Sequence, residues 1–187
     1  MDQRVLVERA GEGDHDAFAM LVRGIIARLD AAARLILRDP ELARDAVQDA
    51  LVQAWRDLPG LRDPDRFDAW IYKITVRSCL MILRRRRRRV IEVELTSTAE
   101  VPIADAGSFV VDRDQIERAL ARLDPGMRAV VVAHFYLGQP LPQVADALGI
   151  PLGTAKSRLH RSLLAMRAGI EVDQSQPALE IPRGQAV

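Results

Sequence analysis

Three Asp-Pro pairs, Asp39-Pro40, Asp63-Pro64 and Asp124-Pro125, constrain this chain more than any other feature of its 187 residues. An Asp side chain accepts hydrogen bonds from the unpaired N–H groups of a first helical turn. Pro suits the first helical position because its missing N–H would have no partner there. Each pair is followed by apolar residues at helical spacing. After Pro40 the stripe is Ala43, Ala46, Val47, Ala50, Leu51, Ala54, Trp55 and Leu58, stopped by Pro59-Gly60. After Pro64, the residues Phe67, Trp70, Ile71, Ile74, Cys79, Leu80 and Leu83 predict a helix to about Arg87, with Phe67 and Trp70 as core. After Pro125, the stripe Met127, Val130, Val131 and Phe135 predicts another, ended by Gly138.

The remaining apolar periodicity is helical as well. Phe18, Leu21, Ile25, Leu29, Ala33 and Ile36 predict two short helices or one bent one, after a charged start loosened by Gly11 and Gly13. Ile116, Leu120 and Leu123 predict a helix beginning at Asp112. Strand-like alternation is scarce, so the fold class is all-α.

Gln139 to Arg167 carries the clearest functional signal. A short helix with Val144, Ala145 and Leu148 on its apolar side meets Gly149, placed where a helix end wants a residue tolerant of the left-handed conformation. Pro151 opens a second helix whose inward side is Ala155, Leu159, Leu163 and Met166. The other side shows Thr154, Lys156, Ser157, Arg158, His160 and Arg161. Two helices, a tight turn and a cationic outer face describe a helix-turn-helix, and one helix fits the major groove of DNA.

Charge matters through its distribution, since 27 Lys plus Arg nearly balance 26 Asp plus Glu. Ala69 to Ile91 holds no acid but includes Lys73, Arg77 and the run Arg84 to Arg89, whereas Glu41 to Asp68 is rich in acids. Such a split points to two kinds of partner, one polyanionic. Val90 to Val111 has acids, Pro102, Gly107 and no Lys or Arg, and reads as an extended linker with a short strand at Val90–Leu95 as the alternative. Residues 170–187 read as a disordered tail. The division is therefore 10–90 for a first helical domain, 91–111 for the linker and 112–169 for a helix-turn-helix domain.

Nothing marks an enzyme. His15, His134 and His160 lie in unrelated contexts, Cys79 is alone in an apolar run, and no phosphate-binding glycine loop or metal-ligand spacing occurs. No cofactor and no metal are expected. With no secretory pattern and no run long enough to span a bilayer, the expected location is the cytoplasm.

Over residues 10–168 the chain resembles an extracytoplasmic-function (ECF) sigma factor, the compact class of bacterial RNA polymerase specificity subunits. The resemblance rests on Ala43–Asp49 through Trp55-Arg56, on Phe67–Ile74 with the basic run, on Leu123–Arg128, and on Gly149–Arg161. It implies that Asp45, Gln48, Asp49, Gln53 and Arg56 dock on the clamp helices of the largest polymerase subunit. The flap of the second subunit is a further expected contact. It implies that Arg62, Tyr72, Lys73, Arg77, Arg84 and Arg85 meet the minus-ten element, where Leu58–Arg66 would capture a flipped base. Thr154, Lys156, Ser157, Arg158, His160 and Arg161 would meet the minus-thirty-five element, and an anti-sigma factor is an expected partner. Arg77 stands where Asn is usual in such proteins, Met81 where Asp is usual, and Gln143 where an acid is common. The alternative is a stand-alone two-domain helix-turn-helix regulator that binds duplex DNA without polymerase.

Overall fold

The computed structural model describes residues 2–94 and 111–175, and among them every regular element is helical. The first group is α1 (Gln3–Gly11), α2 (His15–Leu37), α3 (Pro40–Asp57) and α4 (Phe67–Glu94). The second is α5 (Val111–Ala121), α6 (Pro125–Val131), α7 (Leu141–Leu148) and α8 (Leu152–Ser175). Two 3-10 turns, Leu58–Gly60 and Pro64–Arg66, link α3 to α4, and a π-helical turn, Val132–Tyr136, continues α6.

The Asp-Pro pairs act as helix starts. The Asp39 carboxylate accepts from the backbone N–H groups of Glu41 and Leu42, both at 3.1 Å, and Asp124 accepts from Met127 at 2.9 Å. Asp63 accepts from the Asp65 N–H at 3.1 Å but opens the 3-10 turn, so α4 itself begins at Phe67. The α3 stripe is buried as its spacing requires, with Ala43, Ala46, Ala50 and Ala54 fully enclosed between α2 and α4. Four alanines there let the neighbouring helices approach closely.

Several expectations need correction. Residues 3–11 form α1, capped by Asp2 and burying Leu6, Val7 and Ala10 against α2; nine residues amid charge are too short a periodic signal to read. Of the two alternatives for the region 15–37 the single helix holds, because Leu21, Leu29 and Ile36 keep it against the core despite Gly24 in its interior. Val90 to Glu94 are helical rather than strand or linker: no Gly, Pro, Ser, Asn or Asp interrupts the chain after Leu83. The rest of the linker lies outside the described residues. α8 runs to Ser175, beyond the 170 boundary of the expected tail, of which 176–187 lie outside the described residues.

Phe135 is 59% exposed, not core. The Leu137 N–H donates to the Val132 carbonyl at 3.0 Å, an i→i+5 bond that widens the turn. The apolar face is thereby rotated, and Leu137 occupies the interior instead.

The two helical groups are not held apart. Their buried apolar residues form one continuous cluster that includes Leu29, Ile36 and Val76 as well as Val130, Leu137 and Val144. α4 packs on α7, while α2 packs on α6 and on the π-helical turn.

Candidate nucleic-acid interface

The helix-turn-helix is built from the turn outward. Gly149 has φ 65° and ψ 40°, and its N–H donates to the Asp146 carbonyl at 3.2 Å while the Ile150 N–H donates to Ala145 at 3.0 Å. This paired closure engages the Ala145 and Asp146 carbonyls near the end of α7 and turns the chain sharply into α8. Pro151 lies just outside α8, and its carbonyl accepts the first helical bond, from Ala155, at 3.0 Å.

Lys156, Ser157, His160 and Arg161 project from α8 into solvent; Thr154 and Arg158 are half-buried. Two of the outward groups are partly engaged along the helix itself. The Ser157 hydroxyl donates to the Thr154 carbonyl at 3.0 Å, and the Arg161 Nε–H donates to the Ser157 carbonyl at 3.3 Å. Arg158 folds toward α6, where a Cβ on Gly126 would lie 3.1 Å from its Nη1. The inward stripe also differs from expectation by one position. Ser162 is fully buried, donating to the Arg158 carbonyl at 2.7 Å, while Leu163 is exposed. Ala155 is buried as expected, with Leu159 and Met166 half-buried. A hydroxyl that satisfies itself on its own helix can sit at a core position, and hydrophobicity alone could not reveal that.

The second cationic surface is α4. Arg84 and Arg85 are exposed, with an Arg85 Nη2–H reaching Met81 Sδ at 3.7 Å, and Arg86 pairs with Asp39 at 3.6 Å. Arg62 is exposed on the preceding loop. The three remaining minus-ten candidates lie beside the second helical group, with Tyr72 buried, Lys73 half-buried and Arg77 exposed. Lys73 forms a salt bridge with Asp146 of α7. Arg77 donates to the carbonyls of Asp146 at 3.1 Å and Ala147 at 3.3 Å, and its guanidinium lies 3.7 Å from the Asp146 carboxylate. Hydrogen bonding from Lys73, then the charges of Lys73 and Arg77, hold the Asp146 carboxyl below its ordinary range.

Tyr72 is buried, with the Arg28 guanidinium 5.5 Å from its ring centre. Burial raises its phenol pKa, Asp68 adds to the rise, and Arg28 opposes it. Between the groups lies a cavity of about 210 Å³ lined by Leu61, Trp70, Tyr72, Val76, Val144 and Ala147 among others. Trp70 thus stands at the edge of a space rather than in the core, while Phe67 is enclosed. No sequence signal joins Asp146 to Lys73, since they are 73 positions apart.

Asp45, Gln48, Asp49, Gln53 and Arg56 all face solvent on the outer side of α3. Cys79 is fully buried, and burial pushes its thiol up to about 12. His134 is half-buried, with its Nδ1 2.8 Å from the Gln139 carbonyl oxygen. Among the described residues no group of three His, Cys, Asp or Glu is placed to hold a metal ion, and no helix is long and apolar enough to cross a membrane.

Residues 18–89 match the family model for sigma-70 region 2, and residues 113–166 match that for sigma-70 region 4. The chain is similar to the ECF RNA polymerase sigma factor SigM of Mycobacterium tuberculosis, 36% identical over 152 residues that cover 80% of this chain and 75% of SigM. It is also similar to the RNA polymerase sigma factor CnrH of Cupriavidus metallidurans, 28% identical over 92% of this chain and 96% of CnrH. CnrH solved in complex with the cytosolic domain of CnrY superposes with a TM-score of 0.63, covering 93% of this chain and 99% of that one. The sigma factor RpoE of Bartonella quintana, solved with the anti-sigma factor NepR, shares the fold at a TM-score of 0.66 over 83% of this chain and 98% of RpoE, with 24% identity.

Proposed function

We infer the working surfaces from one premise: the chain belongs to the ECF family of RNA polymerase sigma factors, and it directs the polymerase to promoters. The observation that supports the assignment of surfaces is that both matched regions present long polar or cationic helix faces. In region 2 these are the outer side of α3 and the arginine-rich side of α4; in region 4 it is the outer side of α8.

The division of labour follows from the chemistry of each face. Asp45, Gln48, Asp49, Gln53 and Arg56 dock the first domain, residues 10–90, on the clamp helices of the polymerase core. Arg84, Arg85 and Arg62 hold phosphates near the minus-ten element, with Tyr72, Lys73 and Arg77 joining them once accessible. Phosphate contacts set position rather than sequence preference, so the arginine run contributes mostly affinity. In the second domain, residues 112–169, Lys156, Ser157, His160 and Arg161 reach into the minus-thirty-five major groove from α8. Arg158 supports that helix from the side of α6, and Thr154 lies at the groove rim. The linker, 91–111, spans between the domains along the polymerase.

The chain carries no catalytic step; bond formation belongs to the polymerase, and the protein works in the cytoplasm. As CnrH is held by the cytosolic domain of CnrY, this chain too is restrained by a protein partner that engages its helical domains.

Co-purification with polymerase core followed by run-off transcription tests the reading. The expected result is weak DNA binding by the chain alone, stable association with core, and defined start sites from the reconstituted holoenzyme. Tight, specific binding to duplex DNA with no affinity for core would replace it with the stand-alone regulator.

A further inference from the structure

α1 lies ahead of region 2, whose match begins at residue 18, and it packs on both 3-10 turns of the loop between α3 and α4. At the C-terminal end of α1, Gly11 rests on the first turn, where an added Cβ would lie 4.0 Å from the Pro59 Cα. At the N-terminal end, the Arg4 guanidinium donates to the Asp65 carboxylate of the second turn at 2.7 Å. The two contacts are about 10 Å apart along the helix, at 1.5 Å of rise per residue. α1 is itself fixed in place. Leu6, Val7 and Ala10 are buried, with α2 packed alongside. Arg9 donates to the Asp14 carboxylate through Nε at 2.9 Å and Nη2 at 2.6 Å, and Asp14 is the residue that caps α2.

We propose that α1 braces the loop Leu58–Arg66, with Arg4 as its positioning residue, and thereby sets how readily that loop captures a minus-ten base. Each 3-10 turn is closed by a bond of its own: the Leu61 N–H donates to the Leu58 carbonyl at 3.0 Å, and the Arg66 N–H to the Asp63 carbonyl at 3.1 Å. Those bonds shape the turns one at a time. α1 touches both, and so fixes one against the other. The bracing matters because unstacking a base costs free energy that the receiving pocket must offset. A loop held in place beforehand loses little conformational freedom when the base arrives. The side chains of Arg4 and Asp65 are 52% and 67% exposed, and a pair so exposed adds little to stability. Its contribution is therefore one of placement. The bracing stands on the contacts above; its consequence for the captured base rests on the minus-ten assignment of the loop.

The test has two readouts on the full chain. Deleting α1 would expose core residues, so the variant is the point change R4E, which sets an acid against Asp65. Amide hydrogen exchange of the peptide covering 58–66 should speed up in R4E while peptides from α8 keep their wild-type rates, and the charge swap R4E/D65R should restore slow exchange. Unchanged exchange in R4E, or a swap that fails to restore it, overturns the brace. The second readout is permanganate reactivity of unpaired thymines at minus-ten, in holoenzyme reconstituted with polymerase core on a promoter defined by run-off mapping. R4E should lower it about two- to fivefold, the span that one exposed ion pair supports, with binding to a minus-thirty-five duplex unaltered. An equal loss at both elements would mean general loosening and would also overturn the proposal. R62A, a change in the loop itself, separates the two remaining outcomes. If R4E speeds exchange but leaves opening unaltered while R62A lowers it, the brace has no part in base capture; if R62A leaves opening unaltered too, the minus-ten placement of the loop is what fails.

Discussion

Gly149 permits a quantitative test of the turn that orients α8. Its backbone is left-handed at φ 65°, and a Cβ built there meets no atom within 4 Å, so a substitution is penalised by its own backbone and not by a neighbour. For an L-residue the left-handed conformation costs about 1–2 kcal/mol. Against this, Gly→Ala lowers the entropy of the unfolded chain and recovers about 0.4–1 kcal/mol. The net for Gly149→Ala is a loss of about 1 kcal/mol, or a Tm lower by about 2–4 °C for a chain of this size. Gly149→Asn should lose less, because its short polar side chain tolerates this region, and Gly149→Val should lose more because a β-branched side chain does not. Gly153, also open around its Cβ but inside α8 and without a positive φ, supplies the opposite sign: Gly153→Ala should stabilise by about 0.5 kcal/mol. Thermal melts followed by circular dichroism read the whole series. If Ala at 149 melted no lower than the wild type, or if Ala at 153 lost as much as Ala at 149, the conformational account of the turn would fail.

The other expectations concern DNA, pH and burial. Lys156→Ala should weaken binding to all minus-thirty-five sequences alike and reduce the salt slope by about one if the ammonium holds phosphate, whereas a base contact would relax specificity at one position; Arg158→Ala should lower Tm as well, a difference that paired melting and gel-shift measurements would show. Because hydrogen bonding from Lys73 holds the Asp146 carboxyl low, its contribution to stability is fully present above the ordinary carboxylate pKa near 4 and is lost as pH falls through the depressed folded value; the melting temperature should therefore fall below about pH 4, with that component missing in D146N. Arg128→Met strands the buried carbonyl of Ile36 and should cost about 1–2 kcal/mol, lowering Tm by about 2–8 °C; an unchanged melt would show that water replaces the guanidinium. Cys79, its thiol raised to about 12 by burial, should resist thiol reagents near pH 8 until denaturant is added.

How far the chain could be read from its residues depended on the range of the interaction involved. Helix starts at Asp39 and Asp124 and the turn at Gly149 were legible because a cap or a left-handed glycine acts within a few residues. The α3 stripe was legible for the same reason, since one face of one helix records its burial directly. Phe135 was misjudged because the π-helical turn that exposes it changes the helical period within five residues, and a fixed period cannot register that. Ser162 was missed because its hydroxyl is satisfied on its own helix, which makes a polar residue acceptable inside.

The local code of caps, turns and apolar spacing therefore determined an all-helical chain, its cationic helix-turn-helix and its split of charge, and the order of its residue patterns indicated the family. Tertiary structure alone decided that the two helical groups share one apolar cluster and that Arg28, Arg38, Arg77 and Arg128 find carbonyl ends in the opposite group. The physical reason is that a helix end presents the same unpaired carbonyls whatever its side chains. Nothing in the residues of α2, α5 or α7 identifies which distant guanidinium will reach them until the chain has brought the two together.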